Sequence, residues 1–192
     1  MPAQHIDLCA MKSALVIVDV QHDFCPGGAL GTARGDEIAE KIAALQGTYD
    51  MVVTTQDWHI DPAGHFADEP DFIDTWPVHC VAGSPGAELH PALQPADAAF
   101  KKGAYTAAYS GFEADTNGDG SGVGLEAWLR ERGIGKLDVC GIATDHCVRA
   151  TALDALKAGF EVRVLRELCS PVDEKRGNAA LTELAEGGAE VI

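Results

Sequence analysis

Three residues that could carry out catalysis lie just beyond apolar runs of the kind that form buried strands. Asp19 and Asp57 follow the runs 14–18 and 51–55, and Cys147 follows a later run of the same type. In open α/β sheets, ligands bind at the carboxyl ends of the strands. We therefore expect a carboxylate, a second carboxylate and a thiol to meet at one edge of a sheet.

The segment CGIATDHCVRAT places Cys147 in the first turn of a predicted helix. There the unpaired N–H groups and the helix dipole favour a thiolate over a thiol. The same amides can hold an oxyanion during attack on a carbonyl group, which indicates acyl transfer. For a lone cysteine, a small packed side chain is the alternative interpretation, and this position alone leaves it open.

A long segment, residues 56–95, contains several potential metal ligands. It includes the strings QDWHIDPAGHF and WPVHC, whose candidate ligands are Asp57, His59, His65 and His79. The Asp-x-His spacing can chelate a metal ion, and imidazole with carboxylate suits Zn, Mn or Fe(II). Any one of these histidines alone is more often a surface or core residue, but their clustering favours a metal site.

The predicted elements alternate short apolar runs with helical segments, which is typical of a parallel sheet covered by helices on both faces. We predict one α/β domain over residues 1–192, with three α/β/α layers and a mostly parallel central sheet of about six strands. Strands are expected near 14–18, 51–55, 98–100, 137–141, 162–165 and 190–192. Helices are expected between the first two strands, around 125–129, over about 146–158 and from about 173.

Composition narrows the classes of partner. Fourteen Lys and Arg against thirty Asp and Glu give a net charge of −16, which disfavours binding to nucleic acid and to anionic membrane surfaces. The sequence shows neither a leader peptide nor a membrane-spanning run, so we expect a cytoplasmic protein. The six scattered cysteines, including Cys9, contain no CxxC pair and favour reduced thiols. A monomer and a homo-oligomer both stay open.

Five segments resemble, in order and spacing, the motifs of the nicotinamidases, within the isochorismatase-like cysteine hydrolases. They are IVDVQHDF, QDWHIDPAGHF, TWPVHC, KKGAYTAAYSGF and GIATDHCVRATALDA, and the resemblance covers residues 13–166. It implies the isochorismatase-like fold and a small-molecule substrate, nicotinamide, hydrolysed to nicotinate and ammonia in pyridine nucleotide salvage. Close analogues such as pyrazinamide are expected substrates.

The resemblance implies a catalytic triad. Asp19 matches the general base, Lys102 the catalytic lysine, and Cys147 the nucleophile that forms a thioester. The sequence offers Lys101 beside Lys102, and only one can point at the triad because neighbours on an extended segment face opposite ways. The motif favours Lys102.

The resemblance also implies binding residues around the triad. Asp57, His59 and His79 match ligands of one divalent metal ion (Zn, Fe or Mn), and His65 matches a histidine that binds metal in only some members. Ile142 and Ala143 match a cis peptide pair, and the amides of Ala143 and Cys147 match the oxyanion hole. The matches to the substrate pocket are Phe24, Trp76, Tyr109, Ile142 and Ala143.

Other interpretations stay open. The chain could be another amidase of the group that acts on a different small amide, or a non-catalytic metal-binding homologue. Residues 115–126 satisfy a calcium-loop pattern with Asp115, Asn117, Asp119 and Glu126 as oxygen donors. The entering helix is missing and Gly122 replaces a branched apolar residue, so a solvated turn is preferred.

Two neighbours of the nucleophile are expected to be structural. Asp145 is expected to cap the helix that begins there. His146 is expected to point away from Cys147.

Overall fold

The structure is a computed structural model that describes residues 12–192, and its centre is a six-stranded sheet. The strands are β1 (Lys12–Val18), β2 (Val52–Asp57), β3 (Ala98–Lys102), β4 (Ile134–Ile142), β5 (Glu161–Ser170) and β6 (Glu190–Val191). Their order is β3-β2-β1-β4-β5-β6, and every pairing is parallel. The predicted fold class is confirmed. Cys9 lies outside the described residues.

In the part of the chain that the structure describes, four α-helices cover the sheet: α1 (Gly35–Gln46), α2 (Leu125–Glu131), α3 (Arg149–Lys157) and α4 (Glu174–Glu186). The β1-to-β2 crossover runs across the sheet in the opposite direction to the β4-to-β5 and β5-to-β6 crossovers. Because such crossovers are right-handed, α1 lies on one face and α3 and α4 lie on the other. In the described residues, no helix is both long and apolar enough to cross a membrane.

The central strands are buried on both faces, which is why their sequences are continuously apolar instead of alternating. The side chains from Ala14 to Val18 are completely buried. They share one apolar core with α1, whose buried Ile38 and Ile42 are four residues apart and lie on the same stripe. Burial of a branched side chain of this size contributes about 1.5–3 kcal/mol, so this packing fixes the position of β1.

The strand order reverses between β1 and β4, and this switch point opens a crevice at the carboxyl edge of the sheet. Gly141 pairs there with Val18 and has φ of 120°. A Cβ at Gly141 would lie 2.1 Å from the Val18 carbonyl oxygen, so only glycine allows the two strands to approach this closely. The chain segments that follow β1 and β4 are thereby brought side by side.

Strand β3 is longer than its apolar residues indicate. The predicted strand near 98–100 continues to Lys102, because Gln56 and Asp57 of β2 pair with Lys101 and Lys102. Backbone pairing, which does not depend on side-chain polarity, thus places Lys102 level with Asp57 at the ends of adjacent strands.

Candidate active site

The Lys102 ammonium is the centre of the site. Its side chain is buried, and its Nζ donates to Asp57 Oδ1 and to the Ala108 carbonyl oxygen, the latter at 3.2 Å. The same Nζ lies 2.8 Å from Asp19 Oδ2 and 3.5 Å from Cys147 Sγ. The structure therefore brings together the three residues that the resemblance places in a triad.

Asp19 is the carboxylate nearest to the switch point. It directly follows β1 with φ of 47°, and its N–H donates to the Thr55 carbonyl at 3.2 Å. The Thr55 hydroxyl donates to Asp19 Oδ1 at 2.6 Å, a contact that the sequence did not indicate. Burial raises the pKa of Asp19 above its ordinary value, against the attraction of Lys102. A carboxylate of this kind is suited to accept a proton and return it.

Asp57 lies between Lys102 and the histidine cluster, which consists of His59, His65 and His79. Its Oδ1 accepts from Lys102, and its Oδ2 lies 3.6 Å from His59 Nε2 and 3.8 Å from His79 Nε2. Although burial opposes it, Lys102 and the two histidines hold the pKa of Asp57 well below its ordinary value. The two buried carboxylates therefore differ: Asp57 stays ionised, while Asp19 is the one suited to bind a proton.

Cys147 lies in a π-helical turn, Thr144–Val148, and not in the first turn of an α-helix. Burial raises the pKa of the Cys147 thiol well above its ordinary value, and the nearby Lys102 only partly opposes this. The expected thiolate is therefore not favoured at rest, because burial outweighs the ammonium. The thiol needs a base, and Asp19 and Cys147 offer an oxygen and a sulfur within 4.8 Å of each other.

Backbone carbonyls fix the ring tautomers of two histidines of the cluster, His59 and His79. His59 Nδ1 lies 2.7 Å from the Gly103 oxygen, and His79 Nδ1 lies 2.8 Å from the Pro77 oxygen. Because a carbonyl can only accept, each Nδ1 carries the proton and each Nε2 keeps a lone pair. Those lone pairs are on the side of each ring that faces Asp57.

The cluster fits a divalent metal ion. Ring nitrogens of His59, His65 and His79 lie within 4.8 Å of one another, and all three residues are buried. Among residues 12–192, His59 Nε2 and His65 Nδ1 have no hydrogen-bond partner. Burial and the neighbouring rings lower the pKa of His65 to about 4, so this ring is neutral near pH 7. Unpaired buried nitrogens beside a carboxylate are costly without a ligand, and a metal ion would satisfy them.

A pocket opens between Cys147 and the histidine cluster. Its wall contains all five residues predicted for it, Phe24, Trp76, Tyr109, Ile142 and Ala143. Trp76 Nε1 donates to the Tyr109 hydroxyl at 3.1 Å, and the peptide between Ile142 and Ala143 is cis, as expected. The wall also includes Leu30, Thr32 and Val172, which lie in loops without a motif and were not predicted.

The expectations for the two neighbours of Cys147 are wrong. Asp145 does not cap the helix, because its carboxylate accepts from the amides of Val172 and Asp173, at 2.8 and 3.2 Å. His146 lines the same pocket as Cys147, and its ring packs against Trp76 with centroids 5.0 Å apart. The expectations assumed ordinary α-helical geometry, whereas the i→i+5 turn is wider and directs these side chains differently.

The neighbouring lysine behaves as the alternation of an extended strand requires. Lys101 faces away from the triad, and its Nζ lies 3.8 Å from the Trp58 ring centroid. The preference for Lys102 as the triad lysine is therefore in agreement with the geometry.

The segment 115–126 is built around one carboxylate. Asp115 accepts four backbone N–H groups, those of Asn117, Gly118, Gly120 and Gly122, at 2.8–3.1 Å. Asp119 accepts from Ser121, and the Glu126 carboxylate lies 3.6 Å from the Arg130 guanidinium. The carboxylate at the first position of the pattern thus closes a turn, and this geometry favours the turn over a calcium loop.

A second group of ligand types, Cys25, Asp36 and His90, has a different explanation. His90 Nδ1 accepts from the Ala92 amide at 3.2 Å, so its Nε2 carries the proton and faces Asp36 at 3.4 Å. A neutral imidazole in this state has no lone pair free for a metal ion. This group is therefore explained by structural hydrogen bonding and not by metal binding.

Comparison with known proteins agrees with the geometry. The isochorismatase domain family matches residues 13–192. The chain belongs to this family. It is similar to the nicotinamidase/pyrazinamidase of Mycobacterium tuberculosis, with 48% identity over 93% of this chain and 97% of the relative. The fold is similar to that of an Acinetobacter baumanii nicotinamidase/pyrazinamidase, with a TM-score of 0.85, 37% identity and coverage of 96% and 97% of the two chains. The fold is also similar to that of a Pyrococcus horikoshii pyrazinamidase in complex with zinc, with a TM-score of 0.79, 37% identity and coverage of 94% of this chain and 98% of that chain.

We expect Gly103→Ala to weaken the metal site. A Cβ there would lie 2.7 Å from His59 Cε1 and 2.9 Å from Nδ1, so the ring must move and lose its carbonyl partner. Loss of such a partner typically costs about 10- to 100-fold in metal affinity. The measurement is zinc affinity by competition with a chromophoric chelator. Gly83→Ala is the matched control, since both glycines have φ of 76° and the Gly83 Cβ would meet open space. Equal zinc affinities for the two variants would contradict the assignment.

We expect the Asp115 carboxylate to stabilise the fold in a pH-dependent way. Although burial opposes it, the four amides hold the pKa of Asp115 below its ordinary value. Its contribution is therefore present above the ordinary aspartate pKa of about 4 and lost as the pH falls through the lower folded-state value. Asp115→Asn should lower the free energy of unfolding by about 1–3 kcal/mol at pH 7, and by less as the pH falls.

Urea unfolding of both proteins between pH 7 and pH 3 measures this difference. Glu126→Gln is the control, and its effect should stay within about 0.5 kcal/mol because it removes one exposed ion pair. A rise in melting temperature with calcium that Glu126→Gln abolishes would support the calcium loop instead.

Proposed function

We propose that this chain is an amidase that hydrolyses nicotinamide to nicotinate and ammonia and accepts pyrazinamide. The observation that carries the proposal is the convergence of a buried thiol, a carboxylate and an ammonium beside an aromatic-walled pocket. Two rings of the histidine cluster, His65 and His79, line the same pocket. A planar ring that carries a carboxamide and, meta to it, a ring nitrogen can present the carboxamide to Cys147 and the nitrogen to the histidines. The similarity to proteins named nicotinamidase and pyrazinamidase supports the same substrate class.

We assign one divalent metal ion to Asp57, His59, His65 and His79. Zinc, iron and manganese all suit nitrogen and carboxylate donors, and the relative solved with zinc favours zinc. When bound, the ion supplies a Lewis-acidic site for the ring nitrogen of the substrate. Asp57, which stays ionised between the histidines and Lys102, links this site to the triad.

The first half of the proposed reaction forms a thioester. Asp19 takes the Sγ proton as the sulfur bonds to the carboxamide carbon, and the C=O electron pair moves to oxygen. The backbone amides of Ala143 and Cys147 form the oxyanion hole for that oxygen. The oxyanion then re-forms the carbonyl, the C–N bond breaks, and Asp19 gives its proton to the departing ammonia.

The second half consumes one water. Asp19 removes a proton from the water as its oxygen attacks the thioester carbon, and collapse of the second oxyanion breaks the C–S bond. The proton on Asp19 returns to sulfur, which restores the thiol, and the released nicotinic acid gives its proton to water or ammonia and becomes nicotinate. Throughout both halves, Lys102 supplies the positive charge that allows Asp19 and the sulfur to become anionic in a buried site.

Ammonia release from nicotinamide by the purified, zinc-loaded protein tests the function. Cys147→Ala should lower the rate at least a thousandfold, roughly the scale of losing a nucleophile. Cys140→Ala is the control, because this cysteine is buried within β4 and is absent from the wall of the pocket. Benzamide, which has the same shape without the ring nitrogen, should be a much poorer substrate.

Three results would count against the proposal. A Cys147→Ala protein as active as the wild type would remove the cysteine from the reaction. Release of ammonia from another small amide but not from nicotinamide would indicate a different amidase of the family. A wild-type protein that binds zinc and hydrolyses no amide would indicate a non-catalytic homologue.

We expect the neighbouring lysines to differ sharply in kinetics. Lys102→Met removes the cation that two buried carboxylates share, and the uncompensated charges should lower kcat/KM by at least roughly a hundredfold. Lys101→Met removes a cation–π contact with Trp58 on the outer side of the strand and should stay within about twofold. The measurement is kcat/KM for nicotinamide, with circular dichroism to verify folding. Equal losses in both variants would contradict the central role of Lys102.

A further inference from the structure

The carboxylate of Asp145, two residues before Cys147, is buried and connects two segments of the chain. The Asp145 side chain is only 2% exposed, yet it accepts three hydrogen bonds from the segment that leads into α4. The Val172 and Asp173 amides supply two of them, and Arg176 Nε supplies the third at 3.2 Å. The turn that carries the nucleophile is thus bound to the start of α4 through one carboxylate.

The same guanidinium reaches a second partner. Arg176 Nη1 donates at 3.3 Å to the carbonyl oxygen of Phe72, which is 104 residues away in the chain. Phe72 belongs to the long segment between β2 and β3 and has φ of 58°, so its carbonyl is presented by a local turn. Because a guanidinium is planar and carries several donors, it can hold two acceptors in a fixed relation.

Both acceptors of Arg176, Asp145 and the Phe72 carbonyl, lie in segments that contribute to the wall of the substrate pocket. The Phe72 ring packs edge-on against Trp76, with centroids 6.2 Å apart, and the Trp76 ring packs edge-on against His146. Trp76 and His146 both line the pocket beside Cys147. Arg176 therefore lies behind the contact between the segment that carries Trp76 and the turn that carries Cys147.

We propose that Arg176 is a positioning residue that sets the closure of the substrate pocket through Asp145 and the Phe72 carbonyl. The kinetic test of this inference, with nicotinamide as substrate, rests on the proposed function. The alkylation test of Cys147 does not. Arg176 does not reach the pocket itself, since it is absent from the pocket wall. Its effect is to hold Trp76 at a fixed distance from the nucleophile turn, so that the aromatic ring of the substrate is enclosed on binding.

The test compares Arg176→Ala with Arg149→Ala. Both arginines carry half-exposed side chains, 40% and 39%, and both join the region of the nucleophile to α4. Within residues 12–192, Arg149 does so through Glu183 alone, at 2.6 and 2.7 Å, and neither residue of that pair lines the pocket. A merely structural contribution should therefore appear equally in the melting temperatures of the two variants.

The kinetic measurement determines KM and kcat for nicotinamide separately in each variant. Arg176→Ala should raise KM roughly fivefold and leave kcat within about twofold, because it loosens the binding of the ring and spares the triad. Arg176→Lys, which can reach only one of the two acceptors, should give a smaller rise in KM. This variant replaces Arg176→Ala in the test if the alanine variant does not fold. Arg149→Ala should leave KM unchanged.

The second readout needs no substrate. The alkylation rate of Cys147 by iodoacetamide, measured by peptide mass spectrometry, should rise several-fold in Arg176→Ala and not in Arg149→Ala. Unchanged alkylation and KM in Arg176→Ala, or a fall in kcat alone, would overturn the inference. If the wild-type protein releases no ammonia from nicotinamide, the proposed function fails, and the alkylation rates alone decide the role of Arg176.

Discussion

The buried ammonium of Lys102 is the interaction on which the rest of the site depends. Two carboxylates at the ends of β1 and β2 lose their hydration, and one cation within reach of both compensates them. Removing water from such a group costs several kcal/mol, so the arrangement persists only if all three are held closely. The parallel register that places Lys102 level with Asp57 provides this constraint. The catalytic chemistry and the architecture of the sheet edge are therefore determined by the same contacts.

The shared cation also gives the two carboxylates different roles. Asp57 meets the ammonium on one oxygen and two imidazoles on the other, which favours its ionised form. Asp19 accepts a hydrogen bond from the Thr55 hydroxyl and lies beside the same Lys102 ammonium, and burial is the largest influence on its pKa. The residue better able to bind a proton is thus the one beside the thiol. Two identical side chains acquire different chemistry from their surroundings alone.

The sequence predicts the parts of this site that depend on local pattern. The ends of apolar runs locate Asp19 and Asp57. Strand alternation allows only one of Lys101 and Lys102 to face the triad, and the motif selects Lys102. The turn around Cys147 was predicted less well, since a π-helical turn has no clear signature in residue types. The roles of Asp145 and His146 were missed for this reason. The contact between Arg176 and Phe72 joins positions far apart in the chain, and no local spacing could indicate it.

A half-exposed arginine can determine geometry without contributing much to stability. Water competes for the Arg176 guanidinium, so its pairing with Asp145 is weaker than that of a fully buried charge. Its two acceptors nevertheless belong to two different segments of the pocket wall, those that carry Trp76 and His146, and a small shift at either one changes the enclosed space. The free energy of unfolding is therefore a poor measure of what this residue does, and substrate affinity is a better one.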